Sequence, residues 1–287
     1  MLSALVNESV LQVIFFTLLF GICLSYCRIS KDERIAKAAQ TTYEIFDCLT
    51  EIMMKIVAGI MQYAPIGVAV LICEVFAKNG AKVAGSLGVV TVACFLGYLI
   101  HIVLIYGGLI KIYKIPFKPF FKEARTPFIT AFVTRSSNGT LPTTMVAAEN
   151  LGVDKEVYAF SLPLGATINM DGTAIYQGVC TWFLVLSAMG RGLTIGEMGL
   201  IIVLATLASI GTAGVPGAGA IMLAMVMQGI NLPLEAGTVL AGAYAMILGI
   251  DAILDMGRTA LNVTGDLTCS ACIAKKMGYI RKDAIIK

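Results

Sequence analysis

The stretch GIDAILDMGRTALNVTGD, Gly249–Asp266, sets three carboxylates and an arginine inside an otherwise apolar segment. On a helix, Asp251, Asp255, Arg258, Thr259, Asn262 and Asp266 fall within a wedge of about 100° along about 22 Å of axis. The opposite face carries Ile253, Leu254, Met256, Ala260, Leu261, Val263 and Leu267. A charge turned toward hydrocarbon costs about 2.5 kcal/mol or more. The polar track must therefore meet water, counter-charge or ligand.

Composition names the solvent. Of 287 residues, 58% are hydrophobic and 14% charged, and the mean hydropathy is +0.86. Soluble domains carry about 25% charged residues, so the chain is expected to lie in a bilayer. Its 29 glycines suit helices that approach closely or break within the membrane. The net charge of +3 comes from basic residues clustered at helix ends, and no nucleic-acid partner is expected. Most of the eight cysteines lie singly in apolar runs, and the single histidine, His101, has no ligand spacing around it. A zinc or disulfide framework is not expected.

Outward from the opening stretch, apolar spans read as Leu11 to Cys27, Leu49 to Ala77 with Pro65 inside it, Gly85 to Tyr113, Val157 to Gly190 and Ala236 to Ala274. Basic residues cluster from Arg28 to Lys37, from Lys111 to Arg125 and in the tail from Lys275 to Lys287. With these on the cytoplasmic side and the loop from Lys78 to Lys82 outside, the spans alternate correctly. That makes a multi-pass cell-membrane protein with a cytoplasmic C-terminus. Val157 to Gly190 is expected to be interrupted at Pro163 and again at Asn169-Met-Asp-Gly-Thr173.

Two regions do not read as plain spans. Phe128 to Leu151 holds Thr134-Arg-Ser-Ser-Asn-Gly-Thr-Leu-Pro142, and Leu200 to Leu232 holds Gly211-Thr-Ala-Gly-Val-Pro-Gly-Ala-Gly219. Each is an apolar arm, a Gly/Ser/Pro tip and a second arm, too short for the ~20 residues of a full crossing. A helical hairpin fits this pattern. Each hairpin precedes a polar-interrupted helix, at Asn169–Thr173 and at Asp255-Met-Gly-Arg-Thr259, so the unit occurs twice with opposite orientation. The expected fold is an all-α membrane protein built as an inverted repeat of two re-entrant helical hairpins and two broken transmembrane helices, a pattern that points to a transporter with its site at mid-depth.

Broken helices leave amide N–H groups for carboxylates and carbonyl oxygens for cations. Asp171, Asp251, Asp255 and Asp266 stand against Arg135 and Arg258, four negative charges against two positive. A cation should fill the deficit, and hard oxygen ligands favour sodium. The Arg258 fork suits a carboxylate. Asp255, one turn away, suits an ammonium group on the same ligand.

Ser136-Ser-Asn-Gly-Thr-Leu-Pro142, Asn169-Met-Asp-Gly-Thr173, Gly211-Thr-Ala-Gly-Val-Pro-Gly-Ala-Gly219 and Asp255-Met-Gly-Arg-Thr-Ala-Leu-Asn262 closely resemble, in order and spacing, the archaeal and bacterial sodium-coupled glutamate/aspartate transporters of the dicarboxylate/amino acid:cation symporter family. The resemblance implies an elevator mechanism, usually within a homotrimer, with aspartate or glutamate as substrate and Na+ as coupling ion. It implies that Arg258 holds the side-chain carboxylate and Asp255 the amino group. Asn262, Thr259, Thr173, Ser137 and the backbone near Val215 and Gly219 would complete the shell. Asp266 with carbonyls of Gly165, Asn169 and Asn262 would take one sodium. Thr167, Ser209, Ile210 and Thr212 with the Met170 sulfur would take another, and Asp171 belongs to a further site. Arg135 pairs with an acid or tunes substrate affinity.

The resemblance divides the chain into a partial scaffold region, residues 1–84, a transport domain, 85–276, and a basic tail, 277–287. Asn138 stands where the family usually has a third serine. The family's first three helices and part of the fourth have no counterpart here, so a fragment inactive by itself is one alternative expectation. Proton-coupled dicarboxylate symport within the same family is a second. From the residues alone, Asp251 and Asp255 one turn apart also suggest an intramembrane aspartyl protease, although Gly249-Ile-Asp251 lacks that class's second glycine. A polar track could equally line a channel.

Overall fold

A computed structural model describes residues 10–281 apart from 64, 65, 68, 71, 72, 74–76, 78–81, 211, 213, 215 and 236. The chain forms two compact units, residues 1–70 and 71–287. The first holds α1 (Val10–Arg28) and α2 (Glu33–Met61), which pack on each other. The α2 helix starts well before the span expected from Leu49. Asp32 accepts a hydrogen bond from the Arg34 amide at 2.9 Å, satisfying one of the free donors at a helix start. The polar run Glu33 to Asp47 is thus helix and not loop. The segment with Pro65 and the expected outer loop from Lys78 lie largely outside the described residues.

The second unit begins its described helices with α3 (Lys82–His101), a π-helical turn (Ile102–Tyr106) and α4 (Gly107–Ile112). Next come α5 (Phe117–Thr134) and α6 (Ser137–Leu151), then α7 (Lys155–Ile168) and α8 (Asp171–Met189). The last group is α9 (Ile195–Ile210), α10 (Ala218–Gly229) and α11 (Val239–Met277). Among the described residues, the stretches long and apolar enough to cross a membrane are Gly85–Ile112, Lys155–Met189 and Val239–Met277.

Both expected hairpins are present as helix pairs. In the first, the chain reverses at Arg135 (φ 55°) and Ser136, whose hydroxyl caps α6 by accepting from the Gly139 amide at 3.0 Å. The first arm begins at Phe117, so the basic run around Lys118 and Lys122 is helical. In the second hairpin, Gly217 takes φ 78° immediately before α10, a conformation that glycine adopts without penalty.

The two interrupted helices differ. The first parts between Ile168 and Asp171, where Asn169 and Met170 leave helical geometry. It is not broken at Pro163, which lies inside α7. The second was expected to break at Asp255 to Thr259, yet α11 runs unbroken for 39 residues. Its polar side chains bond one another: Thr259 donates to Asp255 at 3.1 Å, and Arg258 pairs with Asp251 and Asp255. The backbone ladder has no need to open.

Helix α11 is the axis of this unit, touching α3, α5, α6, α7, α8 and α10. Two apolar clusters flank its polar middle. Tyr98, Tyr176, Leu184, Met227, Ile247 and Leu254 join α3, α8, α10 and α11 on one side. Ile110, Phe120, Leu151, Leu162 and Leu267 join α4 through α7 to its C-terminal half on the other. The site lies between them.

Candidate functional site

Arg258 is 2% exposed. Its Nη1 lies 3.3 Å from Asp251 Oδ1 and its Nη2 lies 2.8 Å from Asp255 Oδ1, while the guanidinium carbon stands 4.6 Å from the Tyr176 ring centroid. A buried guanidinium is tolerated only when its donors are met, and two carboxylates and an aromatic face meet them here. Asp251 and Asp255 thus share one counter-charge and leave the trio with a net negative charge.

Asp255 also binds the second hairpin. Its Oδ2 accepts from the Gly217 amide at 3.0 Å. Two residues further on, Gly219 lies so near Arg258 that a Cβ there would overlap the guanidinium. The first hairpin reaches the same place: Ser136 Oγ donates to the Gly214 carbonyl at 2.9 Å.

The α7–α8 break joins from a third direction. Gly172 donates its amide to Asn262 Oδ1 at 2.7 Å, an anion-seeking N–H at the start of α8. Asn262 Nδ2 lies 3.1 Å from the Met170 sulfur and 3.4 Å from Thr173 Oγ1. These groups enclose a small cavity of about 10 Å³, lined by Arg135, Ser137, Met170, Thr173, Thr212, Gly214, Gly219, Asp255, Arg258, Thr259 and Asn262. That is room for about one water, so a larger ligand has to displace the Arg258 pairs or extend beyond this pocket.

Every expected substrate-shell residue among the described ones lines this cavity; Val215 lies outside the described residues. Arg135 forms no ion pair with a described residue, so of its two expected roles the acid pairing is absent and the cavity position is what it has.

One turn along α11 is a second constellation. Asn169 Nδ2 donates to Asp266 Oδ1 at 3.0 Å and to the Asn262 carbonyl at 3.2 Å. A Cβ on Gly165 would come within 2.6 Å of Asp266 Oδ1, so Gly165, Asn169, Asn262 and Asp266 lie together, with the Asn169 amide bonded to the Asn262 carbonyl and the Asp266 carboxylate. Asp266 and Asn169 also face a largely apolar cavity of about 560 Å³ between α7 and the C-terminal half of α11.

Asp171 stands a short way off, with Oδ2 2.7 Å from the Tyr106 hydroxyl and 3.2 Å from His101 Nε2. The remaining expected set is less gathered. Thr212 lines the central cavity, but the Thr167 and Ser209 hydroxyls bond back to the Leu164 and Thr206 carbonyls of their own helices. Among the described residues no side-chain hydrogen bond joins Thr167, Ser209 and Ile210.

Sequence reasoning passed over Tyr176, Tyr106 and His101. Tyr176 was findable, because it follows Gly172 and Thr173 by one turn on the same face of α8. His101 and Tyr106 were not, since their partner lies 65 or more residues away.

A model of the sodium:dicarboxylate symporter family matches residues 1–276. The chain is 38% identical over 265 residues to excitatory amino acid transporter 2 of Mus musculus, covering 90% of the chain and 43% of that protein. It is 36% identical over 271 residues to excitatory amino acid transporter 3 of Oryctolagus cuniculus, covering 93% and 48%. It is 35% identical over 268 residues to neutral amino acid transporter A of Homo sapiens, covering 90% and 46%. The chain spans about half the length of the curated relatives it matches. All of these are transporters and not enzymes. The peptidase reading of Asp251 and Asp255 also fails on geometry, because both carboxylates turn to Arg258.

Proposed function

The chain belongs to the sodium:dicarboxylate symporter family, and we propose that it serves sodium-coupled symport of an acidic amino acid, aspartate or glutamate. The observation that carries this reading is the buried Arg258 between two carboxylates, at a cavity that both hairpins and the α7–α8 break enclose. Relatives at similar identity bear the names of excitatory and of neutral amino acid transporters, so membership alone does not choose the substrate. A fixed guanidinium favours a second carboxylate by direct pairing.

In this reading the substrate side-chain carboxylate takes Arg258 from its present partners and the ammonium group takes Asp255. Asn262, Thr259, Thr173 and Ser137 complete the shell with backbone near Val215 and Gly219. Sodium binds at Asp266 with Gly165, Asn169 and Asn262, and at Asp171. A third ion uses Thr167, Ser209, Ile210 and Thr212 near Met170, once the second hairpin has closed over substrate. Hard oxygen donors support sodium over softer metals.

Residues 85–276 form the moving body of an elevator and 1–84 belong to its scaffold, within a homotrimer. The basic residues from Lys275 to Lys287 support a cytoplasmic C-terminus. The test is titration of the purified full chain with aspartate in sodium chloride and in choline chloride, at two pH values. Affinity that rises with sodium and is indifferent to pH supports the reading. Binding independent of sodium overturns it, and affinity that follows pH instead assigns the chain to proton coupling.

A further inference from the structure

Between α3 and α4 the backbone winds into one π-helical turn, Ile102–Tyr106, with ordinary helical angles on either side at His101 and Gly107. Such turns are rare and concentrate at functional sites. In an α-helix, residues five apart differ by about 140° around the axis. The i to i+5 bonding of a π turn brings them to one side. His101 and Tyr106 are five apart, and both reach the same atom, Asp171 Oδ2, at 3.2 and 2.7 Å. Their rings meet edge to face with centroids 4.9 Å apart.

Tyr106 is 1% exposed, and its hydroxyl has a seat made for it. A Cβ at Gly265 would overlap that oxygen and would also come within 2.5 Å of Asn169 Nδ2. Gly265 adjoins Asp266, and Asn169 is the donor to Asp266 Oδ1. The one glycine therefore admits both side chains that hold the two carboxylates. Tyr106 also lies 3.4 Å from the Leu261 carbonyl on α11. Asp171 Oδ1 receives neither the tyrosine nor the histidine.

We propose that Tyr106 is a positioning residue for cation binding: the π turn delivers its hydroxyl to Asp171 Oδ2, fixing the carboxylate so that Oδ1 is presented to an alkali cation. The proposal rests on the ion-coupled reading above. Partners of ligand groups commonly set metal affinity by 10–100-fold, and a carboxylate free to rotate loses that orientation.

The experiment is thermal unfolding of the purified full chain against sodium chloride, with choline chloride holding ionic strength constant. It compares the parent with Tyr106→Phe, Asp171→Asn and the double variant. Tyr106→Phe keeps the ring in its core, so its melting point in choline should stay near that of the parent. The sodium concentration for half the stabilisation should rise about tenfold or more. In the Asp171→Asn background the same change should have no further effect on sodium dependence. An unaltered sodium midpoint in Tyr106→Phe overturns the proposal, and so does an equal shift in both backgrounds. Gly265→Ala crowds the hydroxyl from the other side and the Asn169 amide with it; if Tyr106→Phe does not fold, it is compared in the parent and Asp171→Asn backgrounds, where a shift lost with Asp171 supports the proposal and an equal shift in both overturns it. A parent indifferent to sodium sinks both this proposal and the ion-coupled reading. A parent stabilised by sodium but unable to bind aspartate sinks only the substrate assignment.

Discussion

Gly219 on α10 lies directly against the guanidinium of Arg258 on α11, with no space for a methyl group between them. The second hairpin can approach the buried charge only because this residue lacks a side chain. Gly219→Ala should therefore push the guanidinium from its place between Asp251 and Asp255. We expect aspartate affinity at saturating sodium to fall at least tenfold, while sodium-induced stabilisation through the more distant Asp266 changes little. Isothermal titration of the variant measures the first and thermal unfolding the second; parental aspartate affinity would show that the contact does not shape the binding cavity.

Replacing Arg258 tests the charge itself, with a complication that the geometry exposes. Arg258→Cys leaves Asp251 and Asp255 buried without their shared cation, and breaking a buried pair costs about 3–5 kcal/mol. A failed preparation would then be uninformative, so the paired variant Arg258→Cys with Asp251→Asn is the better protein, since it restores the balance of charge. It should lose aspartate binding by at least about a hundredfold and gain measurable binding of a neutral amino acid such as serine. Unchanged aspartate affinity in that variant refutes the role given to Arg258.

The polar wedge of α11 was fully legible in the sequence. Helical period alone put Asp251, Asp255, Arg258, Thr259, Asn262 and Asp266 on one face, and all of them are buried. The hairpins were legible too, because the glycine- and serine-rich tips interrupt apolar arms of less than spanning length. The continuity of α11 was not. Polar residues inside a membrane helix look like a break until their partners are known, and here Arg258 and Thr259 find those partners on their own helix. The long start of α2 escaped for the opposite reason: hydropathy finds where a helix is apolar and is blind to its polar first turns. The Asp171 cluster needed tertiary structure, as it depends on a π turn that shifts Tyr106 around its axis.

Asp266 offers a cleaner ion test than Asp171, because among the described side chains Asn169 alone bonds its carboxylate. Asp266→Asn removes the negative charge at almost constant volume. We expect sodium to stabilise the variant far less and aspartate affinity to fall steeply at low sodium. Part of that affinity should return as sodium is raised, since substrate binding is linked to ion binding by mass action. Aspartate titrations across a sodium series check this, and the same sodium dependence in parent and variant would remove Asp266 from the ion set.

The end of the chain makes a prediction about stability that leaves the cavity untouched. After α11 the backbone turns back onto the loop between α6 and α7: the Asp154 amide donates to the Tyr279 carbonyl at 3.0 Å, and the Arg281 amide donates to the Gly152 carbonyl at 2.9 Å. The Arg281 guanidinium adds a 2.6 Å bond to the carbonyl of Glu149, in the last turn of α6, where free carbonyls and the helix dipole both favour a cation. This clasp joins the end of the first hairpin to the end of the long axial helix. Because the guanidinium is exposed, Arg281→Ala should cost only about 0.3–1 kcal/mol. Truncation after Gly278, which removes all three bonds, should cost more than that substitution. Neither change should alter aspartate affinity at saturating sodium. Thermal unfolding beside aspartate titration separates the two effects, and a truncated chain as stable as the parent would mean that the clasp contributes nothing to holding hairpin and helix together.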